Sequence, residues 1–293
     1  YRVRQGSPKI ATVPVAEERR GDFSNTRDVR GTLIPMYDPA TTRPNPSGSG
    51  ALRNQFPNNV IPQSRLDPVA QRVLELIPPP NRTPSNLFTN SQNYQTEAVP
   101  TTDSKQYHGR IDHRFGDRNS LFGRFSWFDH KPFQKQVIFP GDMFGRKDDM
   151  ANKNIVLSDT HTFSPTLINE LRIGVVRQSF KFADASYGQD WPRKLGLPAS
   201  VAPDVIPTVG ISGYTSVGYG IVGKRGSLNW NLQEMVTKIR GNHTIKAGLE
   251  HRLFSGSNRQ TSNPSGSFTF NAALTGDVTR PAGTGSSVAS VIL

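Results

Sequence analysis

The sequence predicts an all-β chain: a partial (unclosed) antiparallel transmembrane β-barrel with long extracellular loops and one short helix. Three observations carry that prediction. Polar and apolar residues alternate with period two in paired segments. Turns inside each pair are short while connections between pairs are long, the asymmetry of outer-membrane barrels. Gly (26) and Pro (23) in 293 residues are too many for a helical bundle, because both interrupt helix interiors.

Residues 1–104 read as a long extracellular loop region. Pro, Asn, Ser and Gly cluster over 41–50 and 78–91 without a helix or strand period. Between them the spacing predicts a helix near 65–77. Ser64 is placed to cap it, Asp67 and Pro68 suit its first turn, and Val69, Val73, Leu74 and Ile77 form its apolar stripe. Pro78-Pro79-Pro80 stops it.

Residues 105–293 read as about seven barrel strands with short periplasmic turns and long outer loops. Arg110, Asp112 and Arg114 alternate with Tyr107, Ile111 and Phe115 before the turn at Gly116-Asp117-Arg118-Asn119. The return strand carries Leu121, Phe125 and Trp127 on one face, although Phe122 and Phe128 fall on the polar side. A second hairpin turns at Phe163-Ser164-Pro165-Thr166, with Glu170 and Arg172 opposed to Leu171, Ile173 and Val175. A third turns at Arg240-Gly241-Asn242; Leu228, Trp230, Leu232 and Val236 precede the turn, and Lys246, Glu250 and Arg252 alternate with Ile245, Ala247, Leu249 and Leu253 after it. A seventh strand is expected to begin within 267–271. The connections, roughly 131–151, 181–225 and 255–266, are too long for an ordinary compact domain. Predicted strands of about nine to thirteen residues match the ~9–11 needed for a tilted bilayer crossing.

In a membrane barrel the apolar face meets lipid and the polar face lines the lumen; in a soluble sandwich the apolar face is a core. Charged inner rows and loop asymmetry favour the barrel. The lumen-facing candidates are therefore Arg110, Asp112, Arg114, Glu170, Arg172, Lys246, Glu250 and Arg252. Tyr107, Trp127, Phe128, Phe163 and Trp230 suit an interfacial girdle. Trp191 and Arg193, in the longest loop, are the loop ligand-contact candidates, since exposed loops often carry binding residues.

The formal net charge of +12 is spread evenly, with an excess of one to three bases in each successive fifty residues. A phosphate-binding stripe concentrates its bases, so no nucleic-acid partner is expected. The absence of Cys excludes disulfides and thiolate chemistry. Gly218-Tyr219-Gly220-Ile221-Val222-Gly223 satisfies G-x-G-x-x-G but leads into a strand, with no helix N-terminus to hold pyrophosphate. Six His have no metal-ligand spacing, and Asp148-Asp149 lacks alternating calcium ligands. No catalytic constellation is readable. The chain is expected to be no enzyme, with no cofactor and no metal.

Several segments resemble a known family. Thr12-Val13-Pro14, Glu18-Arg19-Arg20-Gly21-Asp22-Phe23-Ser24, Tyr37-Asp38-Pro39, Phe56-Pro57-Asn58-Asn59-Val60-Ile61-Pro62, Ser64-Arg65-Leu66-Asp67-Pro68-Val69-Ala70 and Pro78-Pro79-Pro80-Asn81 resemble landmarks of TonB-dependent outer-membrane receptors of the Oar-like group. So do Arg110-Ile111-Asp112-His113, the run from Phe163 to Glu170, and the run from Gly241 to Gly248. Arg20-Gly21-Asp22 lies inside such a landmark and reads as no integrin ligand. The resemblance implies a many-stranded barrel in a Gram-negative outer membrane that imports a bulky ligand past a plug. Its partners would be outer-membrane lipid, an unidentified ligand and the TonB system, reached through a plug and TonB box that this stretch lacks. Without those, and ending in Val291-Ile292-Leu293, the chain reads as an internal barrel fragment that begins inside an early outer loop. Two other expectations stand beside import: an adhesion or assembly protein using the barrel as a platform, and a soluble all-β binding module.

Overall fold

A computed structural model describes residues 2–4, 7–98, 100–135, 139 and 144–293. In chain order the elements are β1 (Arg2–Arg4), β2 (Ser7–Ala11), α1 (Ala16–Arg19), β3 (Tyr37–Pro44), β4 (Ala51–Gln55), α2 (Pro68–Leu76) and β5 (Tyr94–Ala98). The long strands follow: β6 (Thr101–Phe115), β7 (Asn119–Lys135), β8 (Gly145–Ser164) and β9 (Leu167–Asp184). Then come α3 (Trp191–Leu195), β10 (Thr208–Ile211), β11 (Ile221–Arg240), β12 (His243–Ser262), β13 (Ser267–Phe270) and α4 (Ser287–Ile292). The helix foreseen near 65–77 is α2, and α1, α3 and α4 add turns of four to six residues.

Seven strands form one antiparallel sheet in the order β1-β6-β7-β8-β9-β11-β12. It is open: its outer members, β1 and β12, are not paired with each other. The three tight hairpin turns lie at one end and the long connections at the other. Gly241 takes the first position of its two-residue turn at φ 58°, where glycine has no Cβ penalty.

The structure alters three expectations. The six long strands run for 15 to 20 residues, well beyond the foreseen length, and β6 begins at Thr101 rather than Lys105. Twenty residues span about 66 Å, far more than a tilted bilayer crossing requires. The added lengths read as loop because both of their faces are polar, but backbone pairing needs no apolar face. Second, the residues foreseen as a seventh strand, 267–271, do not join this sheet. β13 instead pairs in parallel with β10, while the first described residues, β1, pair with β6 as a strand rather than a loop. Third, Ser64 sits in a single 3-10 turn, and Asp67 is the N-cap of α2, accepting from the Ala70 N–H at 2.8 Å. Asp67→Ala is therefore expected to destabilise this region by about 1 kcal/mol and Ser64→Ala to leave it unchanged, as read from hydrogen exchange across α2.

Residues from the N-terminal hundred, from 185–220 and from the last thirty, with Phe139 and Phe144, form a cap at the long-loop end around an apolar core that includes Val13, Phe23, Met36, Ile61, Leu74, Ile206 and Ile292. No residue of the six long strands belongs to that core.

The resemblance landmarks hold the cap together. Glu18 accepts from Val15 N and Tyr214 Oη, and the Arg65 guanidinium forks onto the Asp38 carboxylate at 3.0 and 3.1 Å. The buried Asn59 side chain accepts from Met36 N and donates to Ile34 O, joining the two stretches around Tyr37 and Phe56. Asn93 exchanges two hydrogen bonds with the Val13 backbone. Gly21 stands at φ 83°, and a Cβ there would lie 3.0 Å from Ile61 O.

Candidate functional site

The register carries one face through all six long strands. Asp112 lies opposite Phe122, Phe122 opposite Ser158, Ser158 opposite Arg172, Arg172 opposite Gln233, and Gln233 opposite Glu250. Neighbouring rows join Arg110 to Arg252 and Arg114 to Glu170, and Lys246 lies opposite Thr237. All eight residues singled out as lumen-facing therefore share a single face. Three of the ion pairs on it link residues two apart: Arg110–Asp112 at 2.7 Å, Arg172–Glu170 at 2.6 Å and Arg252–Glu250 at 2.6 Å. Only side chains on the same side of a strand meet at that spacing. Half exposed to water, such pairs add little stability and mainly keep the face charged but locally neutral.

This polar face is the sheltered one. Ser158 is 2 % exposed, and Asn154 Oδ1, Ser158 Oγ, Arg172 Nε and Asn231 Oδ1 are buried polar atoms with no hydrogen-bond partner among the described residues. Groups of that kind belong beside lumen water or a second polar surface. Phe122 fits among them because the Arg110 guanidinium lies over its ring at 4.3 Å. Phe128, foreseen in the girdle, also faces inward and stacks on His130.

The opposite face reverses the order of a soluble protein. Ile155, Trp230 and Leu253, which share one row, and Leu157 in the next are 47–57 % exposed. Tyr107 and Trp127 stack at 5.2 Å at the edge of this band toward the cap. Asp159 and Glu234 interrupt the band, one on each side of Leu171; acidic residues are the less costly charges on a lipid face. No second layer covers it among the described residues, and the chain's apolar core lies elsewhere. A sheet with its greasy side bare and its charged side sheltered needs lipid as a solvent.

The family model of an outer membrane beta barrel domain matches residues 1–293. The chain belongs to the outer membrane beta barrel domain family. This barrel domain accordingly resides in the outer membrane of Gram-negative bacteria. Comparison with curated proteins and with solved structures gave no match.

Within the barrel domain the two loop candidates are placed differently from the lumen set. The Trp191 ring lies 5.4 Å from that of Phe144, against the cap core, with Lys194 Nζ over it at 4.9 Å. The Arg193 guanidinium donates to the carbonyls of Leu197, Pro198, Ala199 and Val201, which fold the loop back on itself. Two clefts of the cap escaped the sequence reading. One, of about 330 Å³, is apolar and lined by Val69, Val73, Leu195, Leu197, Phe268 and Phe270. The other, of about 590 Å³, carries Glu17, Glu18, Asp22 and Asp28. Each assembles from segments far apart in the chain, so no local pattern announces it. Among the described residues no group of three or more His, Cys, Asp or Glu is arranged to hold a metal.

Glu18 lies at the floor of the acidic cleft. Burial raises its carboxyl above the usual 4.5, against the opposing pull of the bonds from Tyr214 and Val15. Burial, followed by the adjacent Glu18 charge, holds the Tyr214 phenol well above 10. A raised carboxyl keeps its proton in the folded cap at pH values where the unfolded chain has lost it. Cap stability therefore falls as pH rises from 4.5 through the raised value. Tyr214→Phe removes a bond that favours the ionised form, so Glu18 is expected to rise further and the loss with pH to steepen. Protease protection of the cap at pH 5 and pH 8, in wild type and Tyr214→Phe, reads this directly; a parallel pH response in both proteins would contradict it.

Proposed function

We propose that the barrel domain is part of a TonB-dependent, Oar-like receptor, in which the cap faces outward, captures a bulky ligand and delivers it along the charged lumen. The observation that supports this reading most is the open sheet with a largely polar face that runs across all six long strands. An open sheet of six long strands is compatible with a section of a wide barrel, and plugged barrels of ~22 strands are the wide class that such ligands need. The apolar cleft of the cap offers burial for a ligand, and the lumen rows offer exchangeable polar contacts. The domain works by binding and passage, not catalysis, with outer-membrane lipid around it and the TonB system as its energy source.

The test is cross-linking of the intact outer-membrane protein that carries this chain to TonB in living cells. An adduct is expected, and its yield should change when the proton-motive force is collapsed. Intact protein that is abundant at the surface yet never cross-links would favour the alternative, a platform whose compact cap serves adhesion or assembly. The bare greasy face and the family membership remove the support for a soluble module.

A further inference from the structure

We infer that the lipid-facing side of the sheet binds the phosphate groups of anionic lipid headgroups at the membrane edge nearest the cap. The register places two sets of like charges side by side on that face. Lys153 lies directly opposite Arg177, and Lys224 lies directly opposite both Lys181 and Arg259. Like charges at directly opposed positions repel and destabilise the sheet, and an anion placed between them relieves that repulsion. The inner face answers several of its bases with an acid two residues away; these five cations have no ion pair among the described residues. Asp148, Asp149 and Asp204 also line this region, and Arg146 pairs with Asp148, so a modest positive excess remains.

Position selects the partner. Lys153 and Arg177 share a row with Leu228, beyond which Gly226 and Lys224 are the next residues of β11 on that face toward the cap. Lys224 lies four residues farther along β11, about 13 Å along a strand and less along the normal of a tilted one. That depth is the headgroup layer, and long Lys and Arg side chains can reach back toward it. Lys147, Lys181, Lys224 and Arg259, with Tyr187, line a cleft of about 620 Å³ beneath the cap. The row faces away from the lumen, so a transported ligand does not meet it, whereas every lipid in that leaflet does. The inference stands whether or not the domain takes part in import.

The intact protein, purified in detergent, is given phosphatidylglycerol, phosphatidylcholine or inorganic phosphate, and bound lipid is counted by native mass spectrometry. Wild type should retain phosphatidylglycerol in preference to phosphatidylcholine, and millimolar inorganic phosphate should not displace it. Lys181→Gln/Lys224→Gln/Arg259→Gln should weaken that retention by about tenfold or more. The charge-matched Lys9→Gln/Arg30→Gln/Arg280→Gln variant, altered only in the cap, should behave as wild type. Heat-modifiable gel mobility reports folding; if the triple variant does not fold, Lys224→Gln alone is expected to show a smaller loss in the same assay. Equal retention by wild type and the folded β-strand variant, no preference over phosphatidylcholine, or displacement by free phosphate would each overturn the proposal.

Discussion

Arginine at Ile173 is expected to block assembly of the intact protein, and arginine at Leu249, directly opposite Glu234, to impair it less. Ile173 sits on the lipid-facing side between Leu157 and Leu232, and Leu249 is 70 % exposed on the same side of β12. In water an exposed Leu→Arg change is nearly neutral, because the guanidinium stays solvated. In the hydrocarbon layer the same change costs about 2–4 kcal/mol near the midplane. The matching substitutions on the other face, Arg172→Ala and Lys246→Ala, remove charges that lumen water screens, so folding should tolerate them. The fraction of heat-modifiable protein in outer-membrane preparations, with urea midpoints after reconstitution, reads all four. Efficient assembly of Ile173→Arg with failure of Arg172→Ala would reverse the inside and outside of the barrel.

The grouping of these residues on one face was legible in the sequence, because period-two alternation puts every second side chain on the same side of a strand. All eight charged residues read as inward do share a face. Legibility failed in two places, each for a physical reason. Strand ends such as Lys147-Asp148-Asp149 are polar on both faces, so no hydropathy period marks them although backbone pairing continues. The cap was invisible as a unit because its core joins Val13, Ile206 and Ile292, residues whose proximity no local window reports. The landmarks that carried the family resemblance were recognisable as strings, but their physical roles emerged only with the geometry. Asp38 and Arg65 pair across 27 positions, and Asn59 serves Ile34 and Met36 rather than its own turn.

Arg19→Ala is expected to have the largest effect on the cap. Helix α2 ends at Ile77, whose backbone is extended at φ −81° and ψ 124°, and three prolines follow. A left-handed glycine cap is therefore absent, and the prolines supply no N–H groups to the last carbonyls. The Arg19 guanidinium takes over: its Nη1 donates to Leu74 O at 2.6 Å and Ile77 O at 2.8 Å, its Nη2 to Pro78 O at 2.9 Å, and its Nε to Pro14 O at 3.0 Å. One planar group satisfies the helix end, sets a positive charge at the negative end of its dipole and joins α1 to α2. Removing it strands carbonyls in a part-buried site, at about 2–4 kcal/mol, since hydrogen bonds to charged groups are worth roughly twice neutral ones. Arg19→Lys should recover only a fraction, because an ammonium cannot fork onto several fixed carbonyls. Hydrogen exchange across 68–77 should rise strongly in Arg19→Ala and moderately in Arg19→Lys, while heat-modifiable mobility stays normal, because the cap core contains no residue of the long strands. Unchanged protection of α2 in Arg19→Ala would show that the clamp is dispensable. A simultaneous loss of barrel assembly would show that cap and sheet fold as one cooperative unit rather than two.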